Sequence, residues 1–135
     1  MRFNLKIIII FILSLFLYAM GSNQGVVTKI PKPDRNFKVK IFDVDENMIV
    51  VTDFSVNGLT YLPVQLGKTD ISLDFAKIKK VLFYLQDKNI KVKVFFKDGE
   101  VSSFFIKKDI LFFGRTKWGN LKIKSENLKK IIFIY

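Results

Sequence analysis

Two stretches of this chain are written to one pattern, and that repetition limits the folds open to it more than any single residue does. Gly67-Lys68-Thr69 leads into the alternation Ile71-Ser72-Leu73, a turn at Asp74-Phe75-Ala76-Lys77 and the run Ile78-Lys79-Lys80-Val81-Leu82-Phe83. The same course is followed by Gly114-Arg115-Thr116, Leu121-Lys122-Ile123, a turn at Ser125-Glu126-Asn127 and Leu128-Lys129-Lys130-Ile131-Ile132-Phe133. Upstream, Lys38-Val39-Lys40-Ile41-Phe42 matches Lys91-Val92-Lys93-Val94-Phe95. The spacing is 53 from Lys38 to Lys91, 47 from Gly67 to Gly114 and 50 from Ile78 to Leu128. One unit of roughly 50 residues is therefore expected twice, with small insertions such as Lys117-Trp118-Gly119, which has no counterpart between Thr69 and Asp70.

The period inside each unit is two. Ile90, Val92, Val94 and Phe96 alternate with Lys91, Lys93 and Lys97, so apolar and charged side chains fall on opposite faces of a strand. Asp98-Gly99 is a hairpin turn signal, and Asp45-Glu46-Asn47 holds the matching place in the first unit. Five strands per unit follow: Phe37–Val44, Asn47–Phe54, Thr60–Leu66, Thr69–Leu73 and Ile78–Leu85, then Ile90–Lys97, Glu100–Lys107, Asp109–Arg115, Gly119–Lys124 and Lys129–Tyr135. Only the turns at Asp74–Lys77 and Ser125–Leu128 read as helical, each led by a capping Asp or Ser. Val81-Leu82-Phe83 and Ile131-Ile132-Phe133 are apolar on both faces and are expected to lie deepest. The fold class is all-β.

Four strands, one helical turn and a fifth strand, found in both units, resemble the layout of the small Src-homology-type and Sm-like β-barrels. The resemblance implies two small barrels or one merged β-sandwich, and no activity comes with it. The repeated glycine-basic-threonine and Lys-Lys pattern is also similar to small exported bacterial domains of unknown role. The short joint Tyr84-Leu85-Gln86-Asp87-Lys88-Asn89-Ile90 predicts that the last strand of one unit lies antiparallel to the first of the next.

Residues 1–21 read as a signal peptide: Arg2 and Lys6, the apolar run Ile7 to Tyr18, and a small-x-small site at Ala19-Met20-Gly21. The alternative is an uncleaved anchor, for which the run is short against the ~20 residues of a spanning helix. Cleavage leaves no stable transmembrane span and a periplasmic or secreted protein. Residues 22–36 form a linker loosened by Gly25 and extended by Pro31 and Pro33, before the units at 37–87 and 88–135.

The sequence has neither cysteine nor histidine. Disulfides, thiolate metal sites and the usual general base are thereby excluded. Gly67-Lys68-Thr69 lacks the earlier glycine of a phosphate loop, since Leu62 stands there. Asp43-Val44-Asp45-Glu46-Asn47 has Met48 and Phe54 where a calcium loop has Gly and Glu. Of the carboxylates only Asp53 and Asp70 lie within or beside strands rather than at turns. No catalytic set, cofactor site or metal site is expected, and the chain reads as a non-enzyme.

Charge is the asymmetric property. Phe37 to Asp87 carries 6 basic and 7 acidic residues, whereas Lys88 to Tyr135 carries 12 and 4. Lys91, Lys93, Lys97, Lys122 and Lys124 occupy outward alternate positions, and Trp118 lies in a loop among basic residues, a contact residue or a plug for a barrel. These six are the candidate partner-binding residues. Such a field suits a protein or an anionic envelope surface, and the export signal argues against nucleic acid. The same lysines also serve to protect strand edges. The expected function is an exported, non-catalytic envelope module that binds or scaffolds through its basic second unit. The alternative is a small exported enzyme or ligand carrier, with a pocket between the units lined by groups such as Asp53 and Asp70.

Overall fold

The structure is a computed structural model describing residues 25–135. The signal peptide read over 1–21 lies outside the described residues, as do residues 22–24 of the linker. Ten strands follow in order: β1 (Lys38–Asp43), β2 (Met48–Val56), β3 (Tyr61–Leu66), β4 (Thr69–Asp74), β5 (Ile78–Leu85), β6 (Ile90–Phe96), β7 (Val101–Ile106), β8 (Leu111–Thr116), β9 (Gly119–Lys124) and β10 (Leu128–Ile134). Single helical turns, Phe75–Lys77 and Ser125–Asn127, precede β5 and β10. The fold is all-β.

All ten strands join one curled antiparallel sheet in the order β4-β3-β7-β6-β5-β10-β1-β2-β8-β9. Exchanging β1–β5 for β6–β10 reverses this order and leaves it otherwise unchanged. The expected layout of two five-stranded units, over 37–87 and 88–135, is not shown. The β3–β4 hairpin leaves β2 and lies against β7, while β8–β9 lies against β2. Val56 and Leu59 exchange both backbone hydrogen bonds across Asn57-Gly58, whose positive φ angles of 51° and 87° reverse the chain. Beyond that bridge β2 and β3 part. The β5–β6 joint is the expected hairpin, with Leu85 opposite Ile90.

The strands also correct the alignment of the two copies. β3 to β8, β4 to β9 and β5 to β10 all start 50 residues apart. The two-residue turn Gly67-Lys68 therefore matches Lys117-Trp118, and Gly114 corresponds to Val64 within a strand. The shared Gly-basic-Thr lettering is out of register by three. Lys117-Trp118-Gly119 is no insertion.

Packing follows from the alternation. Val81 and Ile131 are buried on paired neighbours at the middle of the sheet, flanked by Phe83 and Phe133. The interior is filled by phenylalanine: Phe54 stacks on Phe75 at 5.6 Å and on Phe112 at 5.5 Å, and Phe133 meets Phe75 at 5.2 Å. Each such ring contributes large apolar burial plus a geometric term. Phe75 is supplied by the helical turn, whose Asp74 side chain accepts the Ala76 N–H as expected of a cap. The second turn differs. Ser125 is not its cap: the buried hydroxyl accepts from Ile110 N–H and donates to the Lys107 carbonyl, pinning the β7–β8 connection.

Candidate anionic-surface interface

The repeated Ile/Leu-Lys-Lys motif puts its two lysines to different uses. At Lys79 and Lys129 the pairing slips by one residue, β5 against β6 and β10 against β1. Lys80 and Lys130, one residue on, take outward positions on the sheet. Pairing then assembles continuous rows across six strands. One row reads Val50, Lys40, Ile132, Lys80, Phe95, Val101; the next reads Met48, Phe42, Lys130, Leu82, Lys93, Ser103. In each row two lysines flank a half-buried apolar residue, Ile132 or Leu82, and the outer positions are apolar except for Ser103 at the end of the second row.

The ammonium groups lie against the rings between them. Lys80 Nζ stands 4.4 Å from the Phe95 centroid, Lys93 Nζ 5.4 Å from the same ring, and Lys130 Nζ 4.5 Å from Phe42. Such stems cover apolar surface while the charge stays at the water boundary. A shallow groove beside Phe42, Leu82, Tyr84 and Lys130 runs over the sheet centre.

The strands β7, β6, β5, β10, β1 and β2 carry eight lysines and only two acids, Asp43 and Asp53. Both acids are engaged. Asp43 accepts N–H bonds from Asp45 and Asn47 and the Asn47 amide, and the Asn47 backbone bond chiefly holds its carboxyl below the ordinary range. The stretch that resembled a calcium loop is thus a closed turn. Asp53, at a bulge with φ 50°, pairs with Arg115 at 3.1 Å. Glu46 reaches Lys129 at 2.7 Å, and that bond lowers its pKa.

The structure separates the six residues singled out from the sequence. Lys91 and Lys93 stand exposed on β6, on the outer face. Lys97 lies past the end of β6, its Nζ 3.2 Å from the Tyr135 ring centroid. Burial pushes the Tyr135 hydroxyl up to about 12, and its oxygen lies 2.9 Å from the Phe75 and 2.7 Å from the Ile78 carbonyl oxygen. Lys122 and Lys124 are exposed on the terminal strand β9. Trp118 is 74 % exposed in the β8–β9 turn and lines a groove with Lys38, Met48 and Val50, so it plugs no barrel. Missed by the sequence reading were Lys40, Lys80 and Lys130, the first two because they belonged to the nearly neutral half. The matching Lys38-Val39-Lys40 and Lys91-Val92-Lys93 alternations carried the signal.

The acids set aside as possible site groups do not converge. Asp70 accepts from Gln65 Nε2 at 3.1 Å on the opposite terminal strand from the Asp53–Arg115 side of the sheet. Among the described residues there is no group of three or more metal-ligating acids. A further charged cluster holds the N-terminal segment. Arg35 reaches Asp74 at 2.9 Å and Thr60 through both side chain and backbone, with Phe37 and Tyr61 beneath its guanidinium. The Asp74 hydrogen bond raises Arg35; partial burial opposes ionisation of Asp74, yet the Ala76 N–H and Arg35 outweigh it and leave its pKa lowered. Among the described residues no helix is long and apolar enough to cross a membrane.

A family model described as "Uncharacterised protein" matches residues 33–135. An "Uncharacterized protein" of Aquifex aeolicus (strain VF5) is 25 % identical over 129 residues, 95 % of each chain. No solved structure matches this chain.

Proposed function

Since the chain belongs to that uncharacterised family, whose description names no activity, we propose from the outer face that it is an exported, non-catalytic β module binding an anionic envelope surface. The observation that carries this reading is the pair of lysine–apolar rows, free of acids, spanning β7 to β2. A flat lattice of ammonium groups with aromatic and aliphatic side chains between them suits anionic head groups over an apolar layer. The basic surface is drawn from both halves of the sequence, Lys40 and Lys130 as much as Lys91 and Lys93. The interior gives a carrier or enzyme little support, because Phe54, Phe75, Phe112 and Phe133 occupy it in mutual contact.

The test compares phosphatidylglycerol with phosphatidylcholine vesicles, using full chains that all keep the same apolar N-terminal segment. Retention on the anionic vesicles should exceed that on neutral ones and fall steeply towards physiological salt, where exposed charges are screened within ~8 Å. Reversing Lys40, Lys80, Lys91, Lys93 and Lys130 to Glu should abolish the difference. At about 1 kcal/mol per lysine, five charges are worth roughly a thousandfold or more in partitioning. Reversing Lys29, Lys32, Lys68, Lys88 and Lys107, which lie outside the strands, makes the same charge change and should weaken retention far less. Equal effects of the two sets, or retention indifferent to salt and lipid charge, would overturn the reading.

A further inference from the structure

The two terminal strands of the sheet, β4 and β9, are each paired on one side only among the described residues. They occupy equivalent places in the repeat and have equal lengths, Thr69–Asp74 and Gly119–Lys124. Their charges are opposite. β4 carries Asp70 and Asp74, β9 carries Lys122 and Lys124, and neither strand holds a residue of the other sign. Their inward side chains match instead: Ile71 and Leu73 on one, Leu121 and Ile123 on the other. Ile71, Leu121 and Ile123 pack against the core yet remain only partly buried, because no strand lies beyond them.

We propose that the β4 edge of one copy pairs antiparallel with the β9 edge of another, so that the protein assembles head to tail. Pairing Ile71 with Ile123 sets Asp70 opposite Lys124; pairing Ile71 with Leu121 sets it opposite Lys122. Either register keeps the apolar side chains on the core side and places unlike charges across the new seam, the arrangement that favours cross-strand pairing. Two like edges, β4 on β4 or β9 on β9, would bring acid to acid or lysine to lysine. The contact is heterologous, so it closes into a ring or continues as a chain according to the rotation between copies. A shallow groove near β9 also contains Asp43, Asp45 and Glu126, but Lys122 and Lys124 form no ion pair among the described residues.

Sedimentation velocity of the full chain in a mild detergent tests this, each variant being checked for an unchanged circular dichroism spectrum. Asp70→Lys is the β4 variant, chosen because Asp74 is already bonded to Arg35. Lys122→Glu with Lys124→Glu is the β9 variant. The natural sequence should sediment as species larger than one chain, and each variant alone as a single chain. Mixed, the variants should reassemble, since the basic β4 of one then meets the acidic β9 of the other and the unaltered edges also remain complementary. A natural sequence that stays monomeric at micromolar concentration would overturn the proposal. So would variants that assemble like the natural sequence, or a mixture that fails to reassemble.

Discussion

Gly114 shows what one residue decides here. It is a strand residue at a position where the other copy has Val64, and its own backbone needs no left-handed turn. The requirement is space. A Cβ built there would stand 2.1 Å from Val51 Cγ1 and 3.0 Å from the Thr52 carbonyl oxygen, both on β2. Those atoms belong to the seam where β8 leaves its own half of the chain to join β2. Gly114→Ala should therefore cost about 1–3 kcal/mol, the usual range for overpacking, whereas Gly67→Ala meets no atom and is limited by its φ of 61°. Urea unfolding compares them, and a neutral Gly114→Ala would mean that the seam is looser than drawn. From sequence the glycine read as part of a glycine-basic-threonine pattern shared with Gly67. Only the partner strand explains it.

At the scale of elements, the N-terminal segment is held to the sheet by a small number of polar contacts centred on Arg35. Asn36 adds its side-chain oxygen to the Asp53 N–H, and Asn120 reaches the Thr28 carbonyl from β9. The Arg35–Asp74 pair should fail in acid. Asp74 has its pKa lowered from 3.8, so its contribution is fully present above the unfolded value and disappears as pH falls through the lower folded value. Hydrogen exchange over residues 28–36 should be protected at pH 6, and Arg35→Ala should remove that protection. The natural protein should lose it only below about pH 4, near the unfolded value of an aspartate. Unchanged protection in Arg35→Ala would show that the segment is held by its apolar contacts alone. Strands were the elements best read in advance, β5 and β9 to the residue, because period-two alternation is a local property of the backbone. The caps were read less well. Asp74 behaves as its position suggests, but the Ser125 hydroxyl is recruited by Lys107 and Ile110, distant in sequence.

For the whole molecule, the exchanged hairpins matter most. β3–β4 is seated against β7 and β8–β9 against β2, so neither half of the sequence holds a complete set of neighbours. Phe54 of the first half stacks on Phe112 of the second, and Phe75 on Phe133. Unfolding should then be a single cooperative transition, with calorimetric and van't Hoff enthalpies in agreement. Two separable transitions would show that the halves are independent despite the shared sheet.

The sequence by itself determined the all-β class, the positions of the strands, the hairpin joining the two copies and an excess of lysine at outward positions. These follow from the period of two and from turn residues, which act over a few neighbours. Tertiary structure decided which strands meet. Apart from Pro63, which has no N–H to donate, the residues of β3 carry the same backbone groups as any strand edge, so the choice of β7 over β2 is not written in its hydrogen-bonding groups and rests on packing across the core. That choice spread the basic face over both halves, moved Lys122 and Lys124 to a free edge, and set an acidic edge at the other end of the same sheet.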